Sequence, residues 1–207
     1  MEIINDFSLK NFNTFGIEAS AKHFVAIQSV AELKAVLKEN KPQKKFILGG
    51  GSNMLLTKNI DALVIHIDLK GKKIIKNFLN VAYVECQAGE NWHEFVLWTI
   101  NQNLGGLENM SLIPGNVGAT PVQNIGAYGT EIKDTFVYCE ALNIENQELK
   151  TFNIKDCNFG YRESIFKNEV KDQYIITSVV FKLTKLNHKI NISYGDIQAE
   201  LKKHAIE

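Results

Sequence analysis

The chain has 207 residues, 45% of them hydrophobic and 22% charged, with 23 basic and 23 acidic residues giving a formal net charge of zero. That is enough material for one or two domains with a real core, and it leaves no global basic field for nucleic acid or an anionic membrane. Three cysteines (Cys86, Cys139, Cys157) lie far apart without C-x-x-C spacing, which argues against a zinc site or disulfide framework and fits reduced thiols. The expectation is a soluble cytoplasmic protein with no metal: the first residues lack the pattern of a secretory signal, and no segment is long and apolar enough to span a bilayer.

In chain order, residues 7–17 read as an opening segment with turn chemistry at Asn13 and Gly16, followed by a strand over His23–Ile27. Ser29 and Glu32 have capping-box spacing, and Val30, Leu33, Val36 and Leu37 fall on one helical face, so a helix runs from there to about Asn40, before Pro42. Phe46-Ile47-Leu48 is a short apolar strand that runs into Gly49-Gly50-Gly51-Ser52-Asn53. Consecutive glycines leave backbone N–H groups free for an anion, and Ser52 and Asn53 add side-chain polar groups. The stretch has neither G-K-[ST] nor G-x-G-x-x-G, and a hairpin connection suits it as well as a phosphate cradle. A strand over Leu63–Ile67 completes a unit closing near residue 70.

Val81–Cys86 reads as the next strand, stopped by Gly89. Asn91 or Glu90 then caps a helix with Trp92, Phe95, Val96, Thr99 and Ile100 on its apolar face, and His93 is read as a partly exposed surface residue of that helix. The run from Gly105 to Gly129 holds six of the fourteen glycines, two of the three prolines, and no Lys, Arg or His. Such density rules out a regular helix or strand, while the interspersed Leu107, Leu112, Ile113, Val117, Val122 and Ile125 argue for an ordered loop against a core. A rigid structural loop and a ligand-holding loop both fit; long ordered loops in compact domains favour the second. An anion there would be held by backbone dipoles. Strands over Phe136–Leu142 and Leu149–Phe152, an aromatic turn over Cys157–Lys167 and a strand over Tyr174–Leu183 follow. Ile190 and Ile192 alternate within Lys189–Ser193, and Tyr194-Gly195-Asp196 turns into a last helix ending at Glu207.

Several of these stretches, in this order, resemble the UDP-N-acetylenolpyruvoylglucosamine reductases (UDP-N-acetylmuramate dehydrogenases) of peptidoglycan synthesis: Asn13-Thr14-Phe15-Gly16, Leu48-Gly49-Gly50-Gly51-Ser52-Asn53, Ala88-Gly89-Glu90-Asn91-Trp92, Gly106-Leu107-Glu108, Ile113-Pro114-Gly115, Pro121–Gly129 and Phe159–Lys167. The resemblance covers essentially the whole chain. It implies an α+β, FAD-binding fold of two α+β subdomains, of the vanillyl-alcohol-oxidase (PCMH) type, placed here at residues 1–70 and 71–207. It implies FAD as cofactor, NADPH as hydride donor and a small UDP-sugar as substrate, with no nucleic-acid or membrane partner. On the resemblance, Gly49, Gly50, Gly51, Ser52 and Asn53 cradle the FAD pyrophosphate, and Ile113, Pro114, Gly115, Val117, Gly118, Ala119, Thr120, Gln123, Asn124, Gly126 and Ala127 lie along the pyrophosphate and flavin ring. Arg162 matches the family's arginine that faces the enolate forming beside the substrate carboxylate, with a structural arginine stacked on Tyr161 or Phe159 as its other reading. Tyr128, Tyr161 and Tyr194 match positions near the substrate, with a structural aromatic corner as the alternative for Tyr128 and Tyr194.

The family also carries a C-terminal domain with a serine proton donor in a Gly-Ser-Phe-Phe context and a late glutamate. Neither is present before Glu207, so no residue here is assigned the proton, and the chain is read as a truncated form or as one that has lost that domain. A monomer is expected for the complete enzyme, and self-association for a fragment with uncovered apolar surface. Two alternatives stand: a non-catalytic flavin-binding module, and an oxidase on the same scaffold. The second is disfavoured because neither glycine loop carries a His or Cys to tether flavin.

Overall fold

The capping box at Ser29 forms in the computed structural model, which describes residues 2–206: Ser29 Oγ accepts from the Glu32 amide at 3.2 Å, and Glu32 Oε2 accepts from the Ser29 amide at 3.2 Å. The helix that it starts, α1 (Val30–Glu39), follows strands β1 (Ile4–Ser8) and β2 (Ser20–Ile27) and precedes β3 (Lys45–Leu48) and β4 (Ile60–Ile67). Next come β5 (Lys72–Asn77), β6 (Val81–Gln87) and helix α2 (Trp92–Asn101). The two-residue strands β7 (Gly126–Ala127) and β8 (Thr130–Glu131) pair with each other, and β9 (Phe136–Asn143), β10 (Leu149–Asn153), β11 (Tyr174–Thr184) and α3 (Ile197–Lys203) complete the chain.

Two sheets result. The first has the order β1-β2-β4-β3, with β2 and β3 parallel to β4 and β1 antiparallel at the edge. Its α1-facing side presents Val25, Ile27, Leu63 and Ile65 to Leu33, Val36 and Leu37, while Phe24, Val64 and Leu48 point the other way, onto Leu9. Apolar residues on both faces are what a buried parallel strand requires, hence the unbroken run in β4. The second sheet, β10-β9-β11-β6-β5, is antiparallel throughout. Its core packs Val84 and Cys86 of β6 and Val179 and Phe181 of β11 against Trp92, Phe95 and Val96 of α2, with Phe95 and Phe181 centroids 5.2 Å apart. Ala88, Leu142 and Ile175, from the second sheet and its margin, pack in the same buried cluster as α1, β2 and β4.

The structure departs from the sequence reading or sharpens it at five places. β1 and β5 are strands that composition did not announce, and both are exposed edges; β5 carries Lys72, Lys73 and Lys76, side chains of the kind that blunt an edge against mispairing. Asn91, and not Glu90, caps α2, its Oδ1 accepting from the Glu94 amide at 3.0 Å. Ile100 faces solvent at 46% exposure, because the buried stripe of α2 ends at Thr99. Lys189–Ser193 pairs with no strand; Asn191 instead donates to the Gly129 carbonyl at 3.3 Å. The last helix stops at Lys203, and Glu207, its expected end, lies outside the described residues. Cys86, Cys139 and Cys157 are buried free thiols, and burial pushes the Cys86 thiol up. Among the described residues no helix is long and apolar enough to cross a membrane, and no three His, Cys, Asp or Glu side chains converge as metal ligands.

Candidate functional site

The loop after β3 and the Gly/Pro run, more than sixty residues apart in sequence, meet. A Cβ on Gly50 would lie 2.8 Å from Asn116 Oδ1 and 3.1 Å from Gly115 Cα, so only hydrogen fits between the two loops there. Asn53 Nδ2 donates to Gln123 Oε1 at 3.2 Å, a second tie across the same seam. Gly51 sits at φ +63°, where a side chain would run into the Phe12 carbonyl oxygen, and its own carbonyl accepts from the Thr14 amide at 3.2 Å. The opening segment thus fixes the first loop from below.

Beside the seam lies a cleft of about 650 Å³, of the size of small-molecule and cofactor sites. Gly49, Gly118 and Ala119 line it, with Phe46 and Ile47 of β3 on one side and Tyr174, Ile175 and Ile176 of β11 on the other. Among the described residues, no protein acceptor takes the amides of Gly50, Gly51, Ser52, Asn53, Gly115 or Asn116. Six unengaged donors on two touching loops are the kind of group that can hold an anion without a charged side chain.

The second loop is held from behind. Trp92 N–H donates to the Gly115 carbonyl at 3.0 Å, the Val117 amide to the Glu90 carbonyl at 2.9 Å, and the Gly118 amide to the Ala88 carbonyl at 2.9 Å. The amides of Val117, Gly118, Ala119 and Thr120 are therefore engaged within the protein. Val117 and Thr120 are buried, and Thr120 Oγ1 donates to the Val117 carbonyl at 2.8 Å; Ile113 packs on the second sheet's core. Glu90, 8% exposed, accepts from the Gly71 amide at 2.8 Å and from Lys72 at 3.0 Å. Burial pushes its carboxyl up, but the Lys72 hydrogen bond, the Gly71 amide and the charges of Lys72 and Lys70 outweigh it, holding the carboxyl below its ordinary value.

Asn124 is fully buried: Nδ2 donates to the Gly160 carbonyl at 2.9 Å and Oδ1 accepts from the Lys133 amide at 3.2 Å. It ties the Gly/Pro loop to the aromatic turn that carries Arg162. Arg162 sits at φ +55°, a left-handed conformation costly for a residue with a side chain. Its guanidinium donates to the carbonyls of Asn124 (3.4 Å) and Gly126, and lies 5.7 Å from the Tyr161 ring centre. Tyr161 itself is 85% exposed. Tyr128, also left-handed at φ +48°, and Tyr194 meet edge to face with centroids 6.0 Å apart, both more than half exposed. Asn109 fixes this corner by donating to the Tyr128 carbonyl at 3.1 Å and the Asn191 carbonyl at 2.7 Å. Arg162 is thus tied to Gly126, with Ala127 and Tyr128 next in the chain, and none of these four lines the cleft.

Sequence reasoning passed over Asn116, Lys45, Phe46, Ile47, Asp172 and Tyr174 as cleft residues. For Lys45 to Ile47 a signal existed, since a strand that delivers a ligand loop also walls its site. Asp172 and Tyr174 offered none, because only the docking of β11 brings them there. Lys45 is occupied structurally, its ammonium donating to the carbonyls of Asn40, Lys41 and Gln43.

The profile of the family described as "FAD binding domain" matches residues 21–152. Among curated relatives, a UDP-N-acetylenolpyruvoylglucosamine reductase of Flavobacterium johnsoniae is 77% identical over 206 residues, covering 100% of this chain and 61% of the relative. One of Pseudomonas putida is 43% identical over 201 residues, covering 96% of this chain and 59% of the relative. The chain thus spans about 60% of the length of the curated relatives it matches. Among solved structures, the UDP-N-acetylenolpyruvylglucosamine reductase of Thermus caldophilus superposes with a TM-score of 0.71 at 22% identity, over 98% of this chain and 68% of that one. A solvent-stable cholesterol oxidase gives 0.65 at 16% identity, over 89% of this chain and 38% of that one. A VAO-type flavoprotein of Myceliophthora thermophila gives 0.58 at 17% identity, over 80% of this chain and 32% of that one. The fold is the α+β fold of these flavoproteins.

Proposed function

The chain belongs to the FAD binding domain family, and from that premise we propose that it is the flavin-holding part of a UDP-N-acetylenolpyruvoylglucosamine reductase, acting in peptidoglycan precursor synthesis. The reading places it in the cytoplasm, with cell-wall biogenesis, cell shape and division depending on its product. The observation that carries the proposal is the seam at Gly50, Gly115 and Asn116, where two glycine loops present unengaged amides beside a dinucleotide-sized cleft. A cradle that a single Cβ would fill, with donors and no cation, fits a pyrophosphate joined to a neutral ring system.

When bound, FAD would supply the two-electron carrier that takes hydride from NADPH and delivers it to the enolpyruvyl double bond of the UDP-sugar. The chain's own residues divide the remaining work. Gly50 to Asn53, with Gly115 and Asn116, hold the pyrophosphate by backbone donors, while Gly49, Gly118 and Ala119 give a wall without bulk. Arg162 has five N–H donors and uses two on carbonyls, which leaves donors to grip the substrate carboxylate and stabilise charge developing there. Tyr128 and Tyr194, which meet edge to face, and the exposed Tyr161 take the nucleotide part of the substrate. Residues 1–70 and 71–207 act as the two flavin-holding subdomains.

The test is a visible spectrum of the chain loaded with FAD, before and after anaerobic NADPH and then with the enolpyruvyl UDP-sugar. Bleaching and return of the flavin band are expected, and Arg162→Lys should keep the band while slowing its return at least tenfold, since lysine cannot hold a carboxylate in the same fork. A band unchanged by NADPH would leave a flavin-binding module without turnover, and no band at all would refute the proposal.

A further inference from the structure

We propose that His93 is a positioning residue that holds the Ser111–Gly115 stretch in its ligand-binding shape only while its imidazole is neutral, so that the second glycine loop answers to pH. This rests on the reading of the two loops as a flavin cradle. The first turn of α2 grips the loop at three successive points. Trp92 Nε1 donates to the Met110 carbonyl at 2.8 Å, His93 Nδ1 receives Leu112 N–H at 3.3 Å and lies 2.9 Å from Ser111 Oγ, and Trp92 N–H donates to the Gly115 carbonyl at 3.0 Å. The outer two are permanent. The middle one can be switched.

A backbone amide can only donate, so Nδ1 must carry a lone pair, which puts the ring proton on Nε2 and makes the Ser111 hydroxyl the second donor. Protonation turns Nδ1 into a donor facing a donor. The serine hydroxyl can rotate and accept, whereas the Leu112 amide loses its partner. Leu112 needs that partner, because it sits at φ +63° with its side chain 76% exposed, so burial does nothing to hold the left-handed backbone. Its release loosens the turn between Met110 and Ile113 that leads into Gly115, whose position sets the seam with Gly50.

No compensating carboxylate is engaged with His93 among the described residues. On its own helix stands Glu94, with Glu90 just before the cap paired to Lys72. On the adjoining turn, Glu108 Oε2 accepts from the Gly106 amide at 2.6 Å. The run from Gly105 to Gly129 contributes no Lys, Arg or His.

Two variants separate switching from mere support. His93→Asn sets an amide oxygen near the position of Nδ1 and does not titrate, while His93→Ala removes the acceptor. FAD affinity and the exchange protection of the Leu112 amide, corrected for intrinsic exchange rates, are measured for each at pH 7.5 and 5.5. The wild type should lose about fivefold in affinity and in Leu112 protection at the lower pH, the loss of one hydrogen bond. His93→Asn should hold both nearly constant, and His93→Ala should be weak at both pH values. Identical pH profiles for the wild type and His93→Asn, or full Leu112 protection in His93→Ala, would overturn the proposal. If FAD binds none of them at either pH, the flavin reading fails, and Leu112 protection alone still decides whether His93 is the switch.

Discussion

Gly50→Ala tests the seam between the loops most directly. The added Cβ would lie 2.8 Å from Asn116 Oδ1, which can rotate away, and 3.1 Å from Gly115 Cα, which belongs to the backbone. Carbon–carbon contact becomes favourable only near about 3.5 Å, so the loops must part by about 0.4 Å. Gly115 cannot simply follow, since Trp92 N–H binds its carbonyl. Such overpacking costs about 1–2 kcal/mol, a fall of about 2–8 °C in melting temperature for a chain of this size. The effect on FAD should be larger in proportion. Hydrogen bonds to a charged phosphate contribute about 1.5–3 kcal/mol each, and misplacing one of them weakens binding about 10- to 100-fold. Gly51→Ala is the control, because its Cβ would strike the Phe12 carbonyl and lie 2.9 Å from Asn13 Cα, at a left-handed backbone position. That variant should lose about 3 kcal/mol or more of stability. The assays are thermal unfolding without ligand and FAD titration by fluorescence quenching. Wild-type FAD affinity in Gly50→Ala, with its lowered melting temperature, would refute the assignment of the seam as the phosphate site.

Glu90→Gln should cost about 2 kcal/mol at neutral pH, reduced from a fully buried pair because Lys72 keeps 25% of its side chain exposed. Because the folded carboxyl lies below its ordinary 4.5, its contribution is present above that pH and lost as pH falls through the folded value. Acid unfolding of the wild type should therefore steepen below about pH 4.5, with the variant flatter there; parallel curves would sink this account. Asn124→Ala removes bonds to the Gly160 carbonyl and the Lys133 amide and puts alanine at φ +41°. A loss of about 3 kcal/mol in denaturant unfolding is expected, and an unchanged midpoint would show that the aromatic turn is held some other way.

The elements legible in the sequence are those whose determinants are local. The Ser29/Glu32 box and the stripe of Leu33, Val36 and Leu37 specify α1 without help from the rest of the chain, and the apolar runs of β4 and β11 announce strands buried on both faces. β1 and β5 are not legible because their apolar residues are few and interrupted, by Asn5 and Asp6 in the first and by three lysines in the second, which reads as loop. In the site, each glycine loop stood out by composition, since a chain keeps that many small residues only where something must come close. Their contact did not, because it depends on β3 and α2 delivering Gly50 and Gly115 to the same point. The role of His93 was hidden for the same reason: its partners, Ser111 and Leu112, are eighteen and nineteen residues away.

The cluster that joins Ala88, Leu142 and Ile175 to Leu33, Val36, Leu63 and Ile65 bears on how the molecule comes apart. These side chains are dry and interlocked, so separating the sheets would expose apolar surface on both at once. Each sheet keeps a buried cluster of its own elsewhere, and this one is the seam between them. The cleft shares Ile67, Ala88 and Ile175 with this cluster, so its floor is the same apolar boundary that joins the two sheets.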